Sequence, residues 1–148
     1  MGPDAVQAAV LPRVLEHFML DVGDGHALYV ETAGRPDGMP VIYLHGGPGS
    51  GAQPEHRALF DPTRFRAVLF AQRGAGRSTP QRGRLANTTN HLVADMEAIR
   101  AALGIRRWLV VGGSWGATLA LAYAERFPER VLGLVLRATF LGTRAELD

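Results

Sequence analysis

The pentapeptide Gly112-Gly113-Ser114-Trp115-Gly116 constrains this chain more than any other stretch of it. Before it runs a short apolar segment, Trp108-Leu109-Val110-Val111, and after it an alanine-rich one, Ala117-Thr118-Leu119-Ala120-Leu121-Ala122-Tyr123-Ala124. The first reads as a buried strand and the second as a buried helix. Gly-x-Ser-x-Gly on a sharp strand-to-helix turn lifts the serine out of the backbone and exposes its hydroxyl above a sheet. The flanking glycines are needed because side chains would collide in so tight a turn. The bare pattern is weak, since glycine and serine are common, and a plain glycine-rich turn is its bland alternative. The strand before it and the helix after it make Ser114 a candidate nucleophile.

The remaining punctuation agrees with that frame. His17–Asp21 and Ala27–Glu31 flank Gly23-Asp24-Gly25, a hairpin signal in which Asp-Gly supplies the positive φ angles of a tight turn. Val41–Leu44 and Ala67–Ala71 are continuous apolar runs, each ending in a glycine-rich turn. Thr88 or Thr89 caps a predicted helix reaching Leu103, with Leu92, Met96, Ile99 and Leu103 at helical spacing and Gly104 closing it. Val131–Leu136 reads as a further buried strand, and the helix before it stops near Pro128. Continuous apolar strands separated by helices imply an α/β fold, a mostly parallel sheet covered by helices on both faces.

Length and composition exclude several classes. At 148 residues the chain is predicted to be one domain. It has no cysteine, which rules out a disulfide framework, a thiol nucleophile and a cysteine-ligated metal. No apolar run reaches membrane-spanning length, and residues 1–10 carry Asp4 and no basic cluster, unlike a signal peptide. A cytoplasmic protein is the expectation. The formal net charge is +2, yet the pI is about 9.7. All sixteen basic residues are arginine, whose proton is not lost near pH 10, so the pI overstates the basicity at neutral pH. Arg73, Arg77, Arg82 and Arg84 crowd one loop, but no aromatic residue lies among them to stack on bases. No nucleic-acid partner is expected.

A second motif, His45-Gly46-Gly47-Pro48-Gly49, directly follows a predicted strand. Acyl transfer needs donors aimed at the oxygen that turns negative, and glycine N–H groups approach it unhindered. Gly47 N–H and Trp115 N–H, the latter directly after the nucleophile, are the candidate oxyanion donors. A phosphate loop is the competing reading, but the spacing is not Gly-x-Gly-x-x-Gly and no Gly-Lys-Ser/Thr follows. His45 sits where strand becomes loop and reads as a structural, hydrogen-bonded histidine.

Taken together, His45–Gly49, Gln72-Arg73-Gly74-Ala75-Gly76-Arg77-Ser78 and Gly112–Gly116 resemble the proline iminopeptidases, serine peptidases of the α/β-hydrolase fold. Phe60-Asp61-Pro62, Asn87-Thr88-Thr89 and Leu92-Val93-Ala94-Asp95 agree, so the likeness runs from about His17 to Leu141. The resemblance implies a Ser-Asp-His triad with no metal or organic cofactor. It also implies a helical cap selecting peptides with a free N-terminal proline. An esterase shares the serine but is less favoured by these loops; an epoxide hydrolase would place aspartate at the elbow.

The chain departs from that pattern. All five histidines (His17, His26, His45, His56, His91) precede Ser114, whereas the triad order is serine, acid, histidine. Glu125, Glu129, Glu146 and Asp148 follow Ser114, none at the end of a later strand. Residues 1–148 are thus expected to be the N-terminal part of a hydrolase core, stopping before the cap and last strands and inactive alone, or a non-catalytic binding module. Val131–Leu136 is then expected to present an unpaired apolar edge. Ala71 stands where the family usually has aspartate, which predicts that Arg73 lacks a partner; Asn90 replaces a frequent aromatic residue.

Overall fold

The computed structural model describes residues 13–45, 54–73, 75–79 and 88–137. Six strands form one sheet: β1 (Val14–Gly23), β2 (His26–Gly34), β3 (Met39–Leu44), β4 (Phe65–Phe70), β5 (Trp108–Gly113) and β6 (Val131–Arg137). Their spatial order is β1-β2-β4-β3-β5-β6. The β1–β2 and β2–β4 pairs are antiparallel, and β4, β3, β5 and β6 run parallel. Two helices, α1 (Thr89–Ala102) and α2 (Trp115–Arg126), and two 3-10 turns, Pro54–Leu59 and Pro128–Arg130, complete the described elements. None of the described helices is long and apolar enough to cross a membrane.

Local chemistry accounts for the boundaries. The β1–β2 turn puts both Asp24 (φ 55°) and Gly25 (φ 77°) in the left-handed region, the geometry whose twist matches a hairpin. Thr88, not Thr89, caps α1: its hydroxyl accepts from the His91 N–H while the His91 ring accepts from the Thr88 N–H. At the other end Gly104 takes φ 68°, and its N–H and that of Ile105 donate to Ala101 and Arg100. This is the Schellman arrangement, which satisfies carbonyls that the helix end would leave open.

Strand alternation divides the core. Leu28, Val30, Ile42, Val68, Phe70 and Val110 point to the face covered by α1 and α2, where Met96, Ile99, Leu119 and Tyr123 are wholly buried. Val41, Tyr43, Ala67, Leu69 and Val111 point to the other face, against Phe60 and Phe65. There the Pro54–Leu59 turn lies over the sheet, with the His56 ring 4.7 Å from that of Tyr43.

The reading of β6 as a buried strand is corrected. Leu132, Leu134, Val135 and Leu136 are 45%, 37%, 48% and 43% exposed. Among the described residues β6 pairs only with β5, so its outer edge and much of both faces meet solvent. An apolar run signals the capacity for burial; position in the sheet decides whether it is realised.

Candidate active site

Ser114 stands between the last residue of β5 and the first of α2, with φ 53° and ψ −121°. Of the described non-glycine residues only it and Asp24 have positive φ. Asp24 belongs to a turn that invites that conformation; Ser114 occupies a region that L-residues avoid. Backbone contacts hold it there. The Ser114 N–H donates to Arg137 O at 3.4 Å, and the Ala117 N–H to Ser114 O at 3.0 Å.

The flanking glycines are needed, for a reason broader than the turn alone. A Cβ on Gly112 would lie 2.2 Å from Gly116 O. A Cβ on Gly116 would lie 2.0 Å from Leu44 O, at the end of β3. The first turn of α2 therefore presses backbone against backbone on the strand that leads into the His45–Gly49 motif.

Trp115 opens α2, where the first N–H groups have no partner within the helix and the peptide dipoles concentrate positive potential. Its indole N–H donates to Gln72 Oε1 at 3.0 Å. Gln72 in turn donates from Nε2 to His45 O at 3.0 Å, and its backbone N–H donates to His45 Nε2 at 3.1 Å. An accepting Nε2 means a neutral imidazole there. His45 is 1% exposed, and its structural reading stands. Gln72 thus joins the end of β3, the loop after β4 and the start of α2. Gly47, the other candidate donor, lies outside the described residues.

The loop after β4 is fastened from below. The Ser78 hydroxyl donates to Ala71 O at 2.6 Å and accepts from the Tyr29 N–H at 2.9 Å. The expectation that Ala71 leaves Arg73 unpartnered is corrected. Arg73 makes two parallel hydrogen bonds to Asp95, at 2.7 and 2.8 Å, both side chains being 2% exposed. Asp24 adds a contact at 3.3 Å. The partner comes from α1, packed over the loop, instead of from the neighbouring position. Burial pushes the Asp95 carboxyl above its ordinary value against the pull of Arg73, while Asp95 raises the guanidinium. Of the other loop arginines, Arg77 lies over the Tyr29 ring at 4.9 Å, and Arg82 and Arg84 fall outside the described residues. Asn90 accepts from Arg126 at 3.1 Å.

Glu31 forms a second buried carboxylate site. It accepts from Arg57 and from the Tyr29 hydroxyl. Burial alone would raise its carboxyl; hydrogen bonds from Arg57 and Tyr29 and the charges of Arg57 and Arg77 outweigh burial and hold it below the usual range. This pair anchors the Pro54–Leu59 turn to β2.

Neither described acid after Ser114 approaches it. Glu125 is eleven residues along from Ser114, about 16 Å at the rise of an α-helix, and exposed; Glu129 lies beyond the helix end. Glu146 and Asp148 lie outside the described residues. Sequence reasoning missed Gln72 as a hub and the Glu31–Arg57 pair. One signal was available for Arg73: Asp95 interrupts the apolar stripe of α1 beside Met96, and an acid there needs a basic partner.

Known proteins match both this sequence and this geometry. The family profile described as alpha/beta hydrolase fold matches residues 39–148. A proline iminopeptidase from Xylella fastidiosa (strain 9a5c) is 57% identical over 133 residues, covering 90% of this chain and 42% of that protein. One from Arabidopsis thaliana is 56% identical over 129 residues, covering 87% and 34%. The chain thus spans well under half the length of these relatives. Among solved structures, a proline iminopeptidase-related protein from Thermus thermophilus superposes with a TM-score of 0.72 at 38% identity, covering 84% of this chain and 44% of that one. An epoxide hydrolase from Vigna radiata gives 0.70 at 28%, covering 83% and 39%.

Proposed function

The chain belongs to the α/β-hydrolase fold family, and on that premise we propose that it carries the nucleophile side of a serine aminopeptidase releasing N-terminal proline from peptides. Residues 1–148 contribute one part of a single core domain, in the cytoplasm. Ser114 attacks the acyl carbon, and the N–H groups of Trp115 and Gly47 receive the oxyanion. The observation that carries this reading is the backbone of Ser114 at φ 53°, between two glycines whose positions admit no side chain. A fold keeps so strained a residue where position matters more than stability. Likeness to the proline iminopeptidases supplies the substrate class.

The mechanism needs a base. A serine hydroxyl is a weak nucleophile until a neighbouring group takes its proton. No histidine follows Ser114 in these 148 residues. The elbow and oxyanion donors alone leave a residual acceleration on the order of 10³–10⁴ over water in serine proteases. The 148-residue chain is therefore expected to turn over substrate negligibly by itself. Proline chromogenic amides and acyl-ester chromogenic substrates assayed side by side, with a fluorophosphonate probe of Ser114, test the reading. Turnover of the proline amide at an enzyme-like rate by the purified chain would overturn the inactivity. Once a base is supplied by the relatives' remaining sequence, labelling at any residue but Ser114 would overturn the nucleophile. Ester cleavage without proline release would overturn the substrate class.

A further inference from the structure

We propose that Gln72 is a positioning residue for acyl transfer at Ser114: its carboxamide ties the Trp115 indole to the His45 carbonyl and so sets the direction of the Trp115 backbone N–H. The inference rests on the reading of Ser114 as nucleophile and of Trp115 as an oxyanion donor.

Chemistry leaves the carboxamide one orientation. The Trp115 indole N–H can only donate, so Gln72 turns Oε1 toward it, at 3.0 Å. The His45 carbonyl can only accept, so Nε2 turns toward that, at 3.0 Å. The side chain works from a fixed base. Gln72 is 2% exposed, its backbone N–H donates to His45 Nε2 at 3.1 Å, and its carbonyl accepts from the Ala75 N–H at 2.9 Å. The place calls for a donor and an acceptor on one flat group. Glutamate of the same shape would turn a carboxylate against the His45 carbonyl, and methionine would offer no donor.

The contacts close a ring around the first turn of α2. Trp115 reaches the His45 carbonyl by two routes. One runs through its side chain, from the indole to Gln72 and on to the oxygen. The other runs through the backbone of the next residue, Gly116, where a Cβ would lie 3.1 Å from the same oxygen. The glycine contact is steric: it sets how near the helix start approaches β3, but a bare backbone contact does little to stop it turning. The hydrogen-bonded indole resists that turning from the other side. Aim matters here, because an oxyanion donor acts only where the charge develops, and a shift of about 1 Å costs on the order of a hundredfold in rate. Gln72 does this without touching substrate.

Excess p-nitrophenyl acetate added to the purified chain reads one slow acylation. Ser114 Oγ bonds to the acetyl carbon, p-nitrophenolate leaves, and the hydroxyl proton passes to solvent. The oxyanion donors account for the residual acceleration of about 10³–10⁴ over water, and Ser114→Ala gives the background. Gln72→Met should lower the Ser114-dependent rate about 10–100-fold. Trp115→Phe, at a half-buried position, removes the indole N–H but leaves Gln72; it should do the same, and it carries the test if Gln72→Met does not fold. The double variant should be no slower than either single one. Gln72→Glu should match Gln72→Met at about pH 8 and recover toward the wild-type rate at about pH 5, where a buried carboxyl takes a proton and donates again. Each rate is taken relative to wild type at the same pH, and urea titration corrects it to the folded fraction. Unchanged rates per folded chain, losses that add in the double variant, or a Gln72→Glu that stays slow in acid would each overturn the positioning role while leaving Ser114 in place. A wild-type chain no faster than Ser114→Ala would overturn the nucleophile itself, and the role of Gln72 with it.

Discussion

Removing Asp95 should cost far more than removing its partner, although the two form one ion pair. In Asp95→Ala the Arg73 guanidinium stays 2% exposed and loses both short hydrogen bonds. Arginine cannot escape by losing its proton. Breaking a buried pair from this side costs about 3–5 kcal/mol, and the half-exposed Asp24 at 3.3 Å offsets part of it, leaving about 3. At about 2–4 °C per kcal/mol for a chain of this size, the melting temperature falls by about 6–12 °C. Arg73→Met differs because Asp95, already pushed up by burial, can take a proton. A carboxyl raised above its unfolded value favours the folded state as pH falls, so this variant should recover stability from pH 7 to about pH 5. Replacing both with apolar residues, Arg73→Met with Asp95→Leu, should be nearly neutral. Urea titrations followed by circular dichroism at both pH values, with Asp95→Leu added as the matching single variant, give the four corners of the cycle. A loss below about 1 kcal/mol for Asp95→Ala, or a double variant as unstable as the sum of the singles, would refute the argument.

Other consequences are as direct. Ser114→Gly should stabilise the chain by about 1 kcal/mol, strain relief of about 1–3 less the entropy glycine adds to the unfolded chain, and thermal unfolding reads it. Gly116→Ala should destabilise by about 3 kcal/mol, since its Cβ falls on Leu44 O, whereas Gly104→Ala, with nothing within 4 Å, should cost only about 1–2 kcal/mol from its left-handed backbone. Glu31 and Glu97 are both held below their ordinary carboxyl value of 4.5, so their contribution is complete above about pH 4.5 and lost as pH falls through their folded values. The urea midpoint should drop on acidification, and less steeply in Glu31→Gln.

Elements were legible in the sequence wherever the signal was local. The Asp24-Gly25 turn, the Thr88 cap and the Gly104 stop each rest on a residue whose own chemistry selects the conformation. The elbow was legible for the same reason, since its strand, glycines and helix are contiguous. What stayed hidden depends on strand order. β4 lies between β2 and β3, so Glu31 and Arg57, 26 residues apart, meet only after the sheet is assembled. Gln72 reads as an ordinary polar loop residue until β3 and α2 close on it from either side. The exposure of β6 follows from its place at the end of the sheet that the described residues form, which its apolar sequence does not encode.

The two ends of α2 are secured by different kinds of force. Near its C-terminus the Tyr123 hydroxyl donates to Glu97 on α1 and accepts from the Trp108 indole, and Glu97 also accepts from Arg100. Protonating one carboxylate weakens that whole latch. At the other end Gly116 rests on the carbonyls of Leu44 and His45, a steric fit with nothing to titrate. Acid strong enough to protonate Glu97 therefore loosens the far end of the helix, whereas the backbone contact of Gly116 carries no charge to lose. Loss of the Glu97 latch is thus a change at the end of the helix away from Ser114, one that the contact of Gly116 with β3 does not share.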